Sequence, residues 1–377
     1  MKKRVVIVGP AWPLRGGLST YNERLAREYQ EQGYEVSMLN FCLQYPSFLF
    51  PGKSQFSDES APQNLTIYTI MNSINPFNWI KVGLKYKKLK PDLMVFRYWM
   101  PFMSPCLGTI ARIVAGNKTT RLVCIADNIH PHEKHFYDKI LTNFFVNSIH
   151  GFLTMSQSVL KDIKQLVPKK KSKYVPHPMY DNFGDWISKE EAKKHLNLDP
   201  SVNYLLFFGF IRKYKGLDLL LQSFAKSGLK DKGVKLIIAG EYYEDAKPYQ
   251  DLIIKLNLND AVLQHNEFIP NSEVYKYFCA CDMVVQTYHS ATQSGVTQIA
   301  YHFNKPMLVT NVGGLSETVP HGKVGYVVEK NETDIANALN DFYDNSKESY
   351  FINEVEKYKT VFSWSKITEG IQEVSEG

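Results

Sequence analysis

The sequence predicts an α/β protein built of two doubly wound domains. Three observations carry that expectation: short β-rich segments ending in glycine or polar residues, amphipathic helical stretches between them, and a proline-bracketed crossing near residue 177 after which the rhythm begins again. Strands that alternate with helices imply parallel sheets, whose ligands gather at the carboxyl ends of the strands.

Residues 4–8 form the first expected strand and end at Gly9-Pro10. After Gly16-Gly17, a helical face is set by Leu18, Tyr21, Leu25 and Tyr29, Gly33 ends it, and residues 34–39 make the next strand. This opening βαβ unit lacks the Gly-x-Gly-x-x-Gly spacing of dinucleotide-binding enzymes, so no redox cofactor is expected. Residues 43–63 read as a long irregular loop rich in aromatics, with Tyr45, Phe48, Leu49, Phe50 and Phe56. Strands at 91–96 and 121–126 follow, and the second runs into Asp127, Asn128, His130, His132 and Glu133. Two histidines and two carboxylates so close at a strand end read as a site, with a satisfied polar loop as the alternative. A strand at 151–155 and the crossing Val175-Pro176-His177-Pro178-Met179 close the first domain.

In the second half, residues 204–208 lead into Gly209-Phe210-Ile211-Arg212-Lys213-Tyr214-Lys215-Gly216, and Leu217, Leu220, Leu221 and Phe224 make a helix face. Arg212 and Lys215 stand where a cation can meet phosphate, as a fork or as a point charge; ordinary surface charge is the alternative. Strands follow at 234–239, 283–286, 307–310 and 325–328, and Trp364, Ile367, Ile371 and Val374 form a last amphipathic helix.

The stretch from Gln286 to Glu317 organises this half. Val296, Ile299, Ala300 and Phe303 fall on one helical face, closed by Asn304 before Lys305-Pro306. Thr292, Gln293, Ser294 and Gly295 therefore arrive at a helix N-terminus, whose free N–H groups and positive dipole end suit a phosphate. Strand 307–310 ends at Gly313-Gly314, and Leu315-Ser316-Glu317 reads as the start of another helix. That order would cradle a diphosphate on backbone amides; a plain tight turn is the alternative.

Composition narrows the classes. The chain has 377 residues, enough for two domains, with 44% hydrophobic and 22% charged residues. No apolar run reaches the ~18 residues of a membrane span, and the basic start before a four-residue apolar run reads as a strand and not a signal peptide. Five cysteines, Cys42, Cys106, Cys124, Cys279 and Cys281, fit free thiols in a reducing cytoplasm. Cys279-Ala-Cys281 has the wrong spacing for a zinc knuckle, so no metal is expected there. Net charge is +6, concentrated in Lys81, Lys85, Lys87, Lys88 and Lys90 near Phe77, Trp79 and Tyr86, and in Lys169, Lys170, Lys171 and Lys173. Cations interleaved with aromatics fit an anionic membrane surface, at the inner face of a cell membrane; a solvated helix face is the alternative. No nucleic-acid-binding motif accompanies the charge.

Taken together, Gly16-Gly17, Gly209 through Lys215-Gly216, the Gly240 strand end, the Ser290 to Pro306 segment and Val312-Gly313-Gly314-Leu315-Ser316-Glu317 resemble the family 4 glycosyltransferases of the GT-B type. The resemblance implies two Rossmann-like domains facing a cleft, 1–178 binding the acceptor and 179–358 binding the nucleotide sugar, with residues 359–377 as a helix crossing back to the first domain. It implies a metal-independent hexosyltransferase that retains anomeric configuration, with a UDP- or GDP-sugar as substrate and no cofactor. The acceptor would be a glycan or lipid-linked molecule in cell-surface polysaccharide biosynthesis. By resemblance the donor-binding residues are Gly16, Gly17, Arg212, Lys215, Gln293, Ser294, Gly295, Gly313, Gly314 and Glu317, with Asp127 and His130 as catalytic candidates. The pattern departs from the family in two places: Phe210 stands where the family arginine usually follows the glycine, and Ala291 and Ile299 stand where two glutamates are usual. A Ser-Ala-Thr-Gln-Ser-Gly-Val subgroup is the better match, with Gln293, Gln298 and the amides near Gly295 in their place and Glu317 as a ribose contact. Two other readings remain: a sugar-nucleotide 2-epimerase of the same fold, and a non-catalytic partner of another glycosyltransferase.

Overall fold

The computed structural model describes residues 2–46, 54–129, 137–291 and 293–376. Two compact units form: Met1–Pro178 with Ser363–Gly377, and Met179–Phe362.

The first unit runs β1 (Arg4–Val8), α1 (Gly17–Glu31), β2 (Glu35–Leu43), β3 (Thr66–Asn72), α2 (Pro76–Leu89), β4 (Leu93–Tyr98), α3 (Ser104–Ala115), β5 (Arg121–Ala126), α4 (Asp138–Val146), β6 (Gly151–Thr154), α5 (Gln157–Leu166) and β7 (Lys171–Tyr174). Its seven strands are all parallel, in the order β3-β2-β1-β4-β5-β6-β7. Central strands are apolar without alternation because helices cover both faces: Val5, Val6, Ile7 and Val8 are all buried. On one face Val6, Val8, Met94, Phe96, Tyr98, Leu122 and Cys124 pack with Val82 and Tyr86 of α2, Ile110 of α3 and Phe145 of α4. Phe145 stacks on Tyr98, their ring centroids 4.6 Å apart and planes 8° from parallel.

The second unit runs α6 (Lys189–His195), β8 (Tyr204–Phe208), α7 (Leu217–Ser227), β9 (Lys235–Ala239), α8 (Lys247–Lys255), β10 (Val262–His265), α9 (Val274–Ala280), β11 (Met283–Gln286), α10 (Gly295–His302), β12 (Met307–Thr310), β13 (Gly325–Val328), α11 (Glu332–Asp344) and α12 (Glu348–Tyr358). Its six parallel strands lie in the order β10-β9-β8-β11-β12-β13. The order reverses between β8 and β11, which opens a crevice at the carboxyl edge there. The chain then returns to the first unit as α13 (Trp364–Ser375), which packs on β5, β6, β7 and α1. Trp364, Ile367, Ile371 and Val374 are its buried side.

Three strands escape the sequence reading. β3 is partly polar and mostly not buried, β10 is short and partly polar, and β7 is the second lysine run itself. That run is structural: Lys170 Nζ donates to the carbonyls of Val146, Asn147 and Ile149, which end α4, and Lys173 pairs with Glu373. The helix expected at Leu315-Ser316-Glu317 does not form; Gly313–Leu315 makes a single 3-10 turn and the chain turns on. Of the loop expected at 43–63, Phe48, Leu49 and Phe50 lie outside the described residues, while Gln55 bonds both backbone groups of Tyr45. All five cysteines are free thiols.

Phe145→Ala would empty a closed site and lower the stability of the first unit by about 3–5 kcal/mol. Urea unfolding followed by tryptophan fluorescence measures it.

Candidate functional site

At the carboxyl edge of the second sheet, the loops after β8, β9 and β11 are drawn together by two backbone hydrogen bonds and one from a side chain. Ile211 N donates to Glu241 O, His289 N to Tyr214 O, and Thr287 Oγ1 to Gly216 O. Gly209 has φ +95°, and a Cβ there would lie 2.9 Å from Lys215 Nζ, so a side chain at 209 would take the space the amine occupies. Lys215 is 8% exposed, with Nζ 5.6 Å from the centre of the Tyr288 ring. Among the described residues no carboxylate pairs with it. Burial, and then the neighbouring Arg212 charge, push its amine down to about 8. Arg212 is exposed and its guanidinium lies 5.0 Å from the Tyr243 ring centre. The sequence leaves the Lys215 charge open between surface and site; the structure places the side chain in a buried position.

Across the crevice α10 begins at Gly295 with Ser294 as its N-cap. The Ser294 hydroxyl turns away from the helix and donates to Gln286 Oε1 at 2.6 Å, which also accepts from Thr297 Oγ1 at 3.1 Å. Gln286 is 1% exposed, ends β11, and its Nε2 has no partner among the described residues. It was not a sequence candidate; its signal was a polar residue closing an otherwise apolar strand. Gly295 does not face open space: a Cβ there would sit 3.0 Å from the Tyr180 ring. Gln293 is half-buried beside the cap, and Thr292 lies outside the described residues. Gln298, offered as a substitute for a glutamate, is 1% exposed inside α10, and its Oε1 has no partner among the described residues.

The glycine pair after β12 has a structural duty. Gly313 has φ +47°, and a Cβ would lie 1.8 Å from the Ala291 carbonyl oxygen. This corrects the expected strand, glycine turn, helix cradle: Gly313 and Gly314 make a tight turn against the β11 loop. Glu317 is exposed in the following turn.

Beyond β8, β9 and β10 the rings of Phe210, Tyr243 and Phe268 cluster. Phe210 lies 4.2 Å from Tyr243 and 6.0 Å from Phe268, the latter pair 27° from parallel. The unexpected Phe210 thus belongs to an aromatic group beside Arg212.

In the first unit, Gly16 precedes α1 and Gly17 is its first residue. Glu23 of α1 holds the preceding loop by accepting from Trp12 N at 2.7 Å, and burial pushes its carboxyl up to about 7. Asp127 is not a free base. Its two oxygens accept from Arg97 Nε and Nη2, each at 2.5 Å, and both side chains are buried. The Arg97 guanidinium in turn lies 3.8 Å from the Tyr21 ring centre, and Tyr21 packs against His177 and Trp364. His177 donates from Nδ1 to Pro178 O, and burial holds its imidazole neutral, down to about 3. A bidentate pair under a ring fixes structure, which replaces the catalytic reading of Asp127. His130 and His132 lie outside the described residues.

The profile of the family described as glycosyl transferases group 1 matches residues 188–358. The D-inositol 3-phosphate glycosyltransferase of Pseudarthrobacter chlorophenolicus is 29% identical over 160 residues, 41% of this chain and 38% of that protein. The chain thus spans well under half the length of that curated relative. Sucrose-phosphate synthase from Thermosynechococcus elongatus aligns over 99% of this chain and 98% of its own, with a TM-score of 0.73 at 14% identity. The Anabaena protein HepE, in complex with UDP and glucose, aligns over 98% of each chain with a TM-score of 0.72 at 17% identity.

Two predictions follow from the geometry. Arg97→Met removes both hydrogen bonds that Arg97 gives the buried Asp127 carboxylate and destabilises by about 3–5 kcal/mol in urea unfolding. Lys215 titrates near 8 when folded against an ordinary 10.5, so the unfolded chain binds that proton more tightly. Below pH 8 the fold therefore carries the full penalty, which fades as pH rises to 10.5. Lys215→Met should be more stable than wild type below pH 8, and the gap should close toward pH 10.5 in thermal melts.

The chain has the GT-B fold of two Rossmann-like domains, and its residues 188–358 match the family described as glycosyl transferases group 1.

Proposed function

We propose that the protein is a retaining glycosyltransferase that moves a sugar from a UDP- or GDP-sugar to a glycan or lipid-linked acceptor in cell-surface polysaccharide biosynthesis. The observation that carries this reading is the buried Lys215 amine, with Arg212 in the same loop, at the crevice between β8 and β11. A buried cation without a carboxylate partner suits a dianionic ligand, and a nucleoside diphosphate brings one. The group 1 match over residues 188–358 supports the same assignment.

In this reading Lys215 and Arg212 meet the diphosphate, and the first amides of α10, with Ser294, Gly295 and Gln293, face the donor from the other side. Gln286 positions Ser294. The rings of Phe210, Tyr243 and Phe268 offer apolar faces to the nucleobase, and Glu317 is a ribose candidate.

The step breaks the bond between the anomeric carbon and the diphosphate oxygen, whose electron pair leaves with the nucleoside diphosphate. Lys215, Arg212 and the helix dipole stabilise that charge. The acceptor hydroxyl attacks the same face and passes its proton to the departing phosphate oxygen, so configuration is kept and Asp127 is not needed as a base. Because two cations neutralise the diphosphate, turnover should persist in EDTA.

Thermal shift across UDP-, GDP- and ADP-sugars should show one donor that stabilises the protein and is slowly hydrolysed in EDTA. Lys215→Met should weaken that donor by about 10- to 100-fold, the loss of one charged hydrogen bond. Isomerisation of the donor to a 2-epimer without acceptor would overturn the transferase reading, and no response to any nucleotide sugar would favour a non-catalytic partner.

A further inference from the structure

Helix α2 carries an apolar stripe that the first unit leaves uncovered. Its Val82 and Tyr86 enter the core. On the outward side Phe77 is 85% exposed, Ile80 46% and Leu84 54%. These fall at i, i+3 and i+7, one side of the helix, and Ile74 just before the helix is also exposed. Single exposed apolar residues are ordinary, but a contiguous row headed by a nearly bare phenylalanine marks a contact surface. Two further exposed apolar side chains stand in the same helical layer, beyond α3. α2 packs on α3 and α3 on α4, where Ile140 and Phe144 are exposed and the Arg112 guanidinium lies 3.7 Å from the Phe144 ring centre.

Charge identifies the occupant. Lys81, Lys85 and Lys88 are exposed on the same helix, and no carboxylate pairs with any of them among the described residues. Lys85 Nζ lies 5.0 Å from the centre of the exposed Tyr68 ring of β3. Between Glu59 and Asp127 the sequence holds nine lysines and arginines and one carboxylate, Asp92, which accepts from Arg4 N at 2.7 Å. A second copy docked through this stripe would bring lysines toward lysines, which like-charge repulsion opposes. Anionic headgroups over an apolar boundary match both features at once.

We infer that the outward face of α2, extended by Ile140 and Phe144 of α4, is the surface by which the protein rests on an anionic lipid bilayer. Phe77, Ile80 and Leu84 enter the headgroup boundary and Lys81, Lys85 and Lys88 hold the phosphates. No helix among the described residues is long and apolar enough to cross a membrane, and this attachment needs none. The inference deepens the membrane-linked acceptor of the proposed function and does not depend on its donor chemistry.

The test is co-sedimentation of the full chain with phosphatidylcholine vesicles, with and without phosphatidylglycerol, at low and high salt. Binding should require phosphatidylglycerol and fall with salt. Replacing the three lysines (K81Q/K85Q/K88Q) should lower partitioning by about 100-fold, and F77S/I80S/L84S by more than about tenfold, with the melting temperature unchanged. All six positions are exposed, and a retained nucleotide-sugar thermal shift shows that each variant keeps the donor site. Equal binding to neutral vesicles, binding to neither, or variants that sediment like wild type would overturn the surface assignment while leaving the transferase reading to its own assay. A wild-type dimer that F77S/I80S/L84S converts to monomer would also overturn it, assigning the stripe to a second copy.

Discussion

The second unit buries a cationic amine, Lys215, that neither a carboxylate nor a carbonyl meets among the described residues, whereas its other buried amines, Lys193 and Lys305, donate to carbonyls. Lys215 reaches its place because residue 209 has no side chain, and because the β11 loop is fastened to the β8 loop through Thr287 and His289. Such burial opposes folding at neutral pH, because desolvation disfavours the charged amine and lowers its pKa. A fold keeps an opposed group of this kind where a ligand supplies the missing charge. The strand order of the sheet puts that vacancy in charge balance at the point where the chain reverses its winding direction, so topology and electrostatics select the same crevice.

The first unit shows the opposite arrangement at a comparable strand end. Arg97 near the end of β4 and Asp127 just after β5 lie side by side and are joined by two hydrogen bonds beneath the Tyr21 ring. His177 and Trp364, at the outgoing and returning crossings of the chain, pack on that same ring. The cluster ties both crossings to the floor of the first sheet, which gives α13 its place against α1 and β6. A bidentate ion pair and a buried amine with no carboxylate partner among the described residues thus stand at the carboxyl ends of two similar sheets.

Much of this was legible in the residues. Apolar runs with polar ends located β1, β5, β8, β11 and β12 to the residue, because buried parallel strands need no alternation. The strands that escaped, β3, β7 and β10, sit at sheet edges, where one flank is free and polar residues such as Lys171 and Lys173 are tolerated. At the site, Arg212 and Lys215 were named from a loop after a glycine, yet their contrast, one exposed and one buried, comes from the packing of Tyr288 and Gly209 from different segments. Asp127 misled because adjacent polar residues in sequence carry no sign of a partner thirty residues away on β4. Gly313-Gly314 misled because a glycine that admits a phosphate and a glycine that admits the Ala291 carbonyl look identical in sequence. Gln286 was hidden for a related reason: its part is to hold Ser294, a contact of the folded loop alone.

The account turns on the Lys215 amine, and NMR titration of the protein carrying labelled lysine side chains reads it directly, with Lys215→Met to assign the signal. The account predicts an amine that titrates near 8 in the free protein and moves upward when a nucleoside diphosphate is added. An amine that titrates at the ordinary 10.5 and ignores the nucleotide would contradict it.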